Sequence, residues 1–227
     1  MTQQGTKFSG IYEAAYAGNV KAVQDLIKLP YGIDSDGRTP LHWAVVGGHR
    51  DICLIILNHI DKDKIDIPDD HGFTPFLLAC ASSFFELAQL LAFEYNANCL
   101  AVTKTGQSGL HYAASKNSKE IAQILVDKAP ELVKQSDKQM QNPLHRASSV
   151  GNLSLVQFLV ANGAISTKDI EGNTPVHLAC EFNHGEVVLW MHKNNFSFTV
   201  RNKASQMPLE CADDKFRQWF NGYLVVQ

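Results

Sequence analysis

The chain has 227 residues, with 20 Lys and Arg against 23 Asp and Glu, for a formal net charge of −3. That balance leaves no basic excess for a phosphate backbone, which argues against nucleic acid as a partner. Hydrophobic residues make up 45% of the chain, enough to fill a large core, so wholesale disorder is excluded.

From the start, Met1 to Gly10 is polar and has no apolar run, so no signal peptide is expected. The segment FSGIYEAAYAGN (8–19) is a degenerate first copy of a pattern that then recurs. Its clear copies are GRTPLHWA (37–44), GFTPFLLA (72–79), GQSGLHYA (106–113), MQNPLHRA (140–147), GNTPVHLA (172–179) and SQMPLECA (205–212). The proline slot holds Pro40, Pro75, Gly109, Pro143, Pro175 and Pro208; its five intervals span 168 residues, a mean of 33.6. Pro75 to Phe93 is 19 residues long and nearly all apolar, close to a membrane-spanning length. The repeat register instead splits it into two short helices around Ser82 and Ser83, with Glu86 and Gln89 facing solvent, so no membrane segment is expected.

Each slot has a physical task. Gly37, Gly72, Gly106 and Gly172 close a tight turn at positive φ. Thr39, Thr74 and Thr174 cap the helix that follows, and Pro at its first position loses only an orphan N–H. Ala44, Ala79, Ala113, Ala147, Ala179 and Ala212 let two helices approach closely. Gly48, Ser83, Asn117, Gly151 and Asn183 end the first helix in a left-handed conformation. A second helix follows, with aliphatics such as Ile52, Ile55 and Ile56, or Val156, Leu159 and Val160, at helical spacing.

Turn, helix, turn, helix at this period resembles the ankyrin-repeat family over almost the full length. The fold class implied is all-α: a solenoid of seven helix-turn-helix units joined by β-turn or hairpin loops, forming a single domain over 1–227. The units run approximately 5–34, 35–69, 70–103, 104–137, 138–169, 170–202 and 203–227. Terminal copies should be atypical, and they are: Gly10-Ile-Tyr-Glu13 stands where Pro-Leu-His is expected, and Glu210 fills the histidine slot. A final helix over Lys215 to Val226 carries Phe216, Trp219, Phe220 and Tyr223 as an apolar stripe that closes the stack.

Nine histidines invite a catalytic reading. Yet His42, His111, His145 and His177 share one slot, which favours a repeated structural bond between neighbouring turns. No nucleophile elbow, zinc-binding helix or phosphate loop occurs, so no catalytic site, metal or cofactor is expected. Carboxylates such as Asp69-Asp70 and Asp213-Asp214 read as solvated turn residues. Five cysteines without a C-x-x-C pair argue against disulfides or zinc, and Cys80, Cys180 and Cys211 fall on core slots. Leu178-Ala-Cys180-Glu181-Phe182 lacks the final acid of an L-x-C-x-E docking motif, so that interaction is not expected.

The remaining candidate is a protein-binding face, expected to be concave, made by turn tips and the outer side of each first helix. Its slots hold Asp36, Arg38, Trp43, Asp70, His71, Phe73, Tyr112, Lys116, Arg146, Glu171, Glu181 and Phe182. Trp43, Phe73 and Tyr112 are read as large aromatics outside the core and flanked by cations, a composition that binding hot spots favour. In GRTPLHWA, DDHGFTP (69–75), GLHYAASKN (109–117), HRASSVGNL (145–153) and DIEGNTPVHLAC (169–180), the chain further resembles gankyrin-type assembly chaperones of the 26S proteasome regulatory particle.

That resemblance implies a non-enzymatic monomer of cytoplasm and nucleus that grips the C-terminal domain of an AAA ATPase subunit. It implies that Arg38 and Lys116 meet acidic residues, that Asp36, Asp70 and Glu181 meet basic ones, and that Trp43, Phe73 and Tyr112 give apolar contact. A generic ankyrin adaptor or inhibitor of a kinase or transcription factor would use the same face. An enzyme with a site assembled from turns is the third reading.

Overall fold

A computed structural model describes residues 10–30 and 32–225. Phe8 and Ser9, the rest of the polar start, and Val226 lie outside the described residues. The chain packs as two compact units, the first running to Lys104 and the second beginning at Thr105. This division falls between the third and fourth repeats.

The first unit contains α1 (Ile11–Tyr16), α2 (Val20–Leu26), α3 (Pro40–Val46), α4 (Arg50–Leu57), α5 (Pro75–Ala81) and α6 (Phe85–Gln89). The second contains α7 (Gly109–Lys116), α8 (Lys119–Lys128), α9 (Pro143–Val150), α10 (Leu153–Ala161), α11 (Pro175–Glu181), α12 (Gly185–Lys193) and α13 (Asp214–Val225). In each unit the first helices of successive repeats pack side by side, α1 on α3 on α5, and α7 on α9 on α11. Second helices form the other row, with α2 against α4 and α10 against α12.

The slot chemistry explains the helix ends. Thr39, Thr74, Asn142 and Thr174 are N-caps with Pro next in line. At the other end, Gly48, Ser83, Asn117, Gly151 and Asn183 all take φ between 56° and 77°. The chain then doubles back so that the repeat alanine's carbonyl accepts from the residue five ahead. His49 N donates to Ala44 O at 3.0 Å and Phe84 N to Ala79 O at 3.0 Å; His184 N donates to Ala179 O at 2.9 Å. This reversal satisfies a carbonyl that the helix leaves over. Ala44, Ala79, Ala113, Ala147 and Ala179 are fully buried, as close helix packing demands.

Pro75 to Phe93 divides at Ser82–Ser83 into α5 and α6, with Glu86 and Gln89 exposed. Beyond Gln89 the helix widens to π geometry over Leu90–Glu94, where Tyr95 N reaches back to Leu90 O. Among the described residues no helix is long and apolar enough to cross a membrane.

Two expectations need correction at the C-terminal end. Cys211 is half-exposed, because the seventh repeat's first helix is only the single 3-10 turn Pro208–Cys211 and covers little. Of the terminal stripe, Phe216 and Phe220 are buried, while Trp219 is 46% exposed and so does not close the core.

Candidate functional site

The turns that carry the predicted face are organised by aspartates. Asp69 Oδ1 accepts the N–H groups of His71 and Phe73, at 2.8 and 2.9 Å. Asp34, Asp137 and Asp169 do the same for the residues two and four ahead. In Asp69 and Asp169 the second oxygen is held from the preceding repeat: Arg38 Nε donates to Asp69 Oδ2 at 3.0 Å, and Gln141 Nε2 to Asp169 Oδ2 at 3.0 Å. Backbone bonds hold neighbouring tips in register, Asp70 N to Asp36 O in the first unit and Lys203 N to Glu171 O in the second, both 2.9 Å.

Asp69, Asp137 and Asp169 are therefore buried, which corrects the reading of Asp69 as a solvated turn residue. Burial by itself would raise the Asp69 carboxyl. The two N–H donors and the Arg38 guanidinium outweigh it and hold the group below the usual carboxylate range. Asp137 is held down in the same way, by Arg146 and two backbone N–H groups.

These aspartates claim three of the residues expected on the face. Trp43 is an interior residue, 6% exposed, which corrects its placement outside the core. Its Nε1 donates to Asp34 Oδ2 at 2.7 Å, Tyr16 meets its ring edge-on, and the Arg38 guanidinium lies 4.9 Å from its centroid. Arg38 is thus a brace between two turns. Its guanidinium is therefore engaged within the fold, where the sequence had placed it on the binding face. Arg146 has the same occupation, with Nη2 2.9 Å from Asp137 Oδ2.

The other predicted residues lie nearer solvent. In the first unit Asp36 and Phe73 are half-buried and Asp70 and His71 exposed. In the second, Tyr112 is half-buried, and Lys116, Glu171, Glu181 and Phe182 are exposed. The turn aspartates have a sequence signal of their own: half-buried Asp34 and buried Asp69, Asp137 and Asp169 each stand three residues before the turn-closing slot.

The four equivalent histidines are structural. All are buried, and burial pushes their pKa values down, that of His42 to about 4. In His42, His111 and His177, Nδ1 accepts the N-cap N–H and Nε2 bonds a carbonyl of the next turn, so neither nitrogen is left for a substrate. Glu210 keeps the capping half of this task by accepting Met207 N at 2.6 Å. Among the described residues no cluster of metal-ligating groups occurs. A cavity of about 500 Å³ in the first unit is walled by Ile27, Leu29, Ile56 and Ile60. His59 and Lys64 on its wall are bonded to Ile55 O and Asp61, so no convergent polar set marks it as a cofactor site.

A model of the family described as ankyrin repeats (3 copies) matches residues 11–103, 62–136, 86–169 and 110–202. The chain is 33% identical over 220 residues to the probable 26S proteasome regulatory subunit p28 of Saccharomyces cerevisiae, covering 92% of this chain and 96% of that protein. It is also 33% identical over 198 residues to the ankyrin repeat-containing protein C6C3.08 of Schizosaccharomyces pombe, covering 86% of this chain and 84% of that one. Among solved structures, the ankyrin repeat domain of human ASB11 superposes with a TM-score of 0.79 at 23% identity, covering 93% of this chain and 96% of that domain.

Proposed function

The chain belongs to the ankyrin-repeat family, and on that premise we propose that it is a non-enzymatic assembly chaperone of the 26S proteasome regulatory particle. In this reading it grips the C-terminal domain of an AAA ATPase subunit, as a monomer in cytoplasm and nucleus. The observation that carries it is the reach of the similarity to p28, which spans nearly the whole of both proteins. Occupation of the ATPase domain would keep its tail from docking early on the proteolytic core.

The contact is assigned to the exposed side chains: Asp70, Glu171 and Glu181 toward basic residues, Lys116 toward acidic ones, and His71 and Phe182 as anchors. Asp36, Phe73 and Tyr112, half-buried, offer edges. Arg38, Trp43 and Arg146 act one step back, by holding the turns that present the others. Rigid presentation of a few exposed side chains suits binding, because little ordering entropy is lost on association. Capture of the purified chain on immobilised proteasomal ATPase C-terminal domains tests the reading directly. Stoichiometric capture by one of them is expected, and capture by none contradicts it.

A further inference from the structure

Because the seventh repeat's first helix ends at Cys211 and α13 begins at Asp214, no full first helix stands beside the last turn of α11. Phe182, at that turn's end, is 53% exposed. The loop after it is tied to the start of α13: Asn183 Nδ2 donates to Asp213 Oδ2 at 3.1 Å, and Asp213 N to Asn183 Oδ1 at 3.3 Å. Trp219 of α13 packs against Gly185, where this loop enters α12. A Cβ at Gly185 would come within 2.7 Å of its ring, and Phe216 backs it at 5.1 Å between centroids. His184, next to Gly185 in the chain, lies 6.3 Å from the Phe182 ring and is fixed by its Nε2 bond to Ser149 O.

Phe182 and Trp219 thus meet one short segment, 182–185, each as a half-open aromatic. The charges around them are mostly acidic. Glu181, Glu186 and Asp213 are exposed, and no cation pairs with the two glutamates among the described residues. Glu210 and Asp214 are neutralised by Arg201 and Arg217, and Lys215 is the cation on the first turn of α13.

The geometry points to a docking site at this step for an apolar side chain, Leu or Phe, flanked by Lys and Arg on a partner protein. The inference rests on the binding-scaffold reading above and names the chemistry of one contact within it. Charge selects the occupant. A second copy of this chain would bring the same carboxylates against their own kind, and an anionic lipid surface would be repelled. Rigid aromatics in a partly shielded setting are the usual anchors of protein interfaces.

Tryptophan fluorescence reads the site. Binding of a peptide with a central Leu flanked by Lys and Arg should blue-shift the emission and shield it from acrylamide. The change should vanish in Trp219→Phe, and a peptide with Asp and Glu flanks should not bind. Glu181→Lys, at an exposed position, should weaken the basic peptide about tenfold, which corresponds to about 1.4 kcal/mol. The ATPase domain should shield Trp219 likewise. If that domain binds while Trp219 stays open to quencher and Glu181→Lys changes nothing, the docking site is overturned and the chaperone reading survives. If the domain fails to bind but the basic peptide still shields Trp219, the docking site stands and the chaperone reading falls. Shielding of Trp219 by self-association, or no response to either probe, overturns the docking site.

Discussion

His42 Nε2 donates to the carbonyl oxygen of Phe73, 31 residues ahead in the chain, at 3.0 Å. Its Nδ1 accepts the N–H of Thr39 at the start of its own helix, also at 3.0 Å. One neutral ring therefore caps a helix and ties down the turn of the following repeat. His111 to Gln141 and His177 to Gln206 repeat the arrangement. In the third repeat Leu77 departs from the series, filling the slot with a buried apolar group and leaving capping to Thr74 Oγ1.

His42→Ala should leave the Thr39 N–H without a partner in a dry setting, and should strip the Phe73 carbonyl of one of its two donors, the Asp69 N–H at 2.8 Å remaining. Stranding a buried group of this kind costs about 1–3 kcal/mol. The urea midpoint should fall accordingly, without a change in slope. A midpoint within error of wild type would show that these bonds contribute nothing net.

Acid should act through the same rings. The folded state holds His42 neutral down to about pH 4, whereas an unfolded chain protonates it near 6.5. Between those values the unfolded state binds more protons, so stability falls as pH falls from 6.5 to about 4, by about 3 kcal/mol for His42. His111, His145 and His177 are shifted in the same direction and add to the slope. Asp34, Asp69 and Asp137, held below their ordinary range, give up their contribution only as pH drops under 3.8. Denaturation across this range should show the loss beginning near pH 6.5 and a shallower slope for His42→Gln. A flat profile down to pH 4.5 contradicts the assignment.

Ser148 is fully buried, and its hydroxyl finds no hydrogen-bond partner. The equivalent slot holds Cys80 and Cys180, both buried. Ser148→Ala should therefore stabilise the chain by about 1 kcal/mol, since it removes an unsatisfied group at little loss of volume. In a chain of this size the melting temperature should rise by about 2–4 °C. A lower melting temperature would mean that the hydroxyl is satisfied after all.

Arg38 and Lys116 should separate fold from binding. Arg38→Glu removes the donor to buried Asp69 and sets two carboxylates against each other, for a loss of about 1–3 kcal/mol in stability. Lys116→Glu, at an exposed position, should stay within about ±0.5 kcal/mol in thermal melts. If both variants melt alike, the bracing role given to Arg38 is wrong.

The repeat scaffold was legible because its slots answer to local backbone rules. Gly48, Asn117 and Gly151 are residues that tolerate a left-handed conformation, and all three adopt it. Context supplied what residue preference did not. Met140 and Ser205 also take positive φ, at 57° and 63°, because the turns around them are already fixed by Asp137 and Asn202. The face was harder to read. Trp43 and Arg38 occupy slots that the repeat pattern leaves free, and their partners come from tertiary structure: Asp34 and the Tyr16 ring enclose Trp43, while Asp69 of the neighbouring turn engages the half-buried Arg38. Trp219 failed in the opposite sense. Helical spacing placed it on the apolar stripe, but the shortened seventh repeat leaves that side of α13 half open.

The central claim is that the exposed residues of these turns and helix ends bind a proteasomal ATPase domain. Calorimetric titration of purified ATPase C-terminal domains into the full chain, at low and moderate salt, tests it most directly. One-to-one binding to one such domain is expected, weakening as salt rises. Lys116→Glu, with melting unchanged, should lose at least tenfold in affinity, about 1.4 kcal/mol. No heat of binding with any of these domains, from wild-type protein shown to be folded, would contradict it.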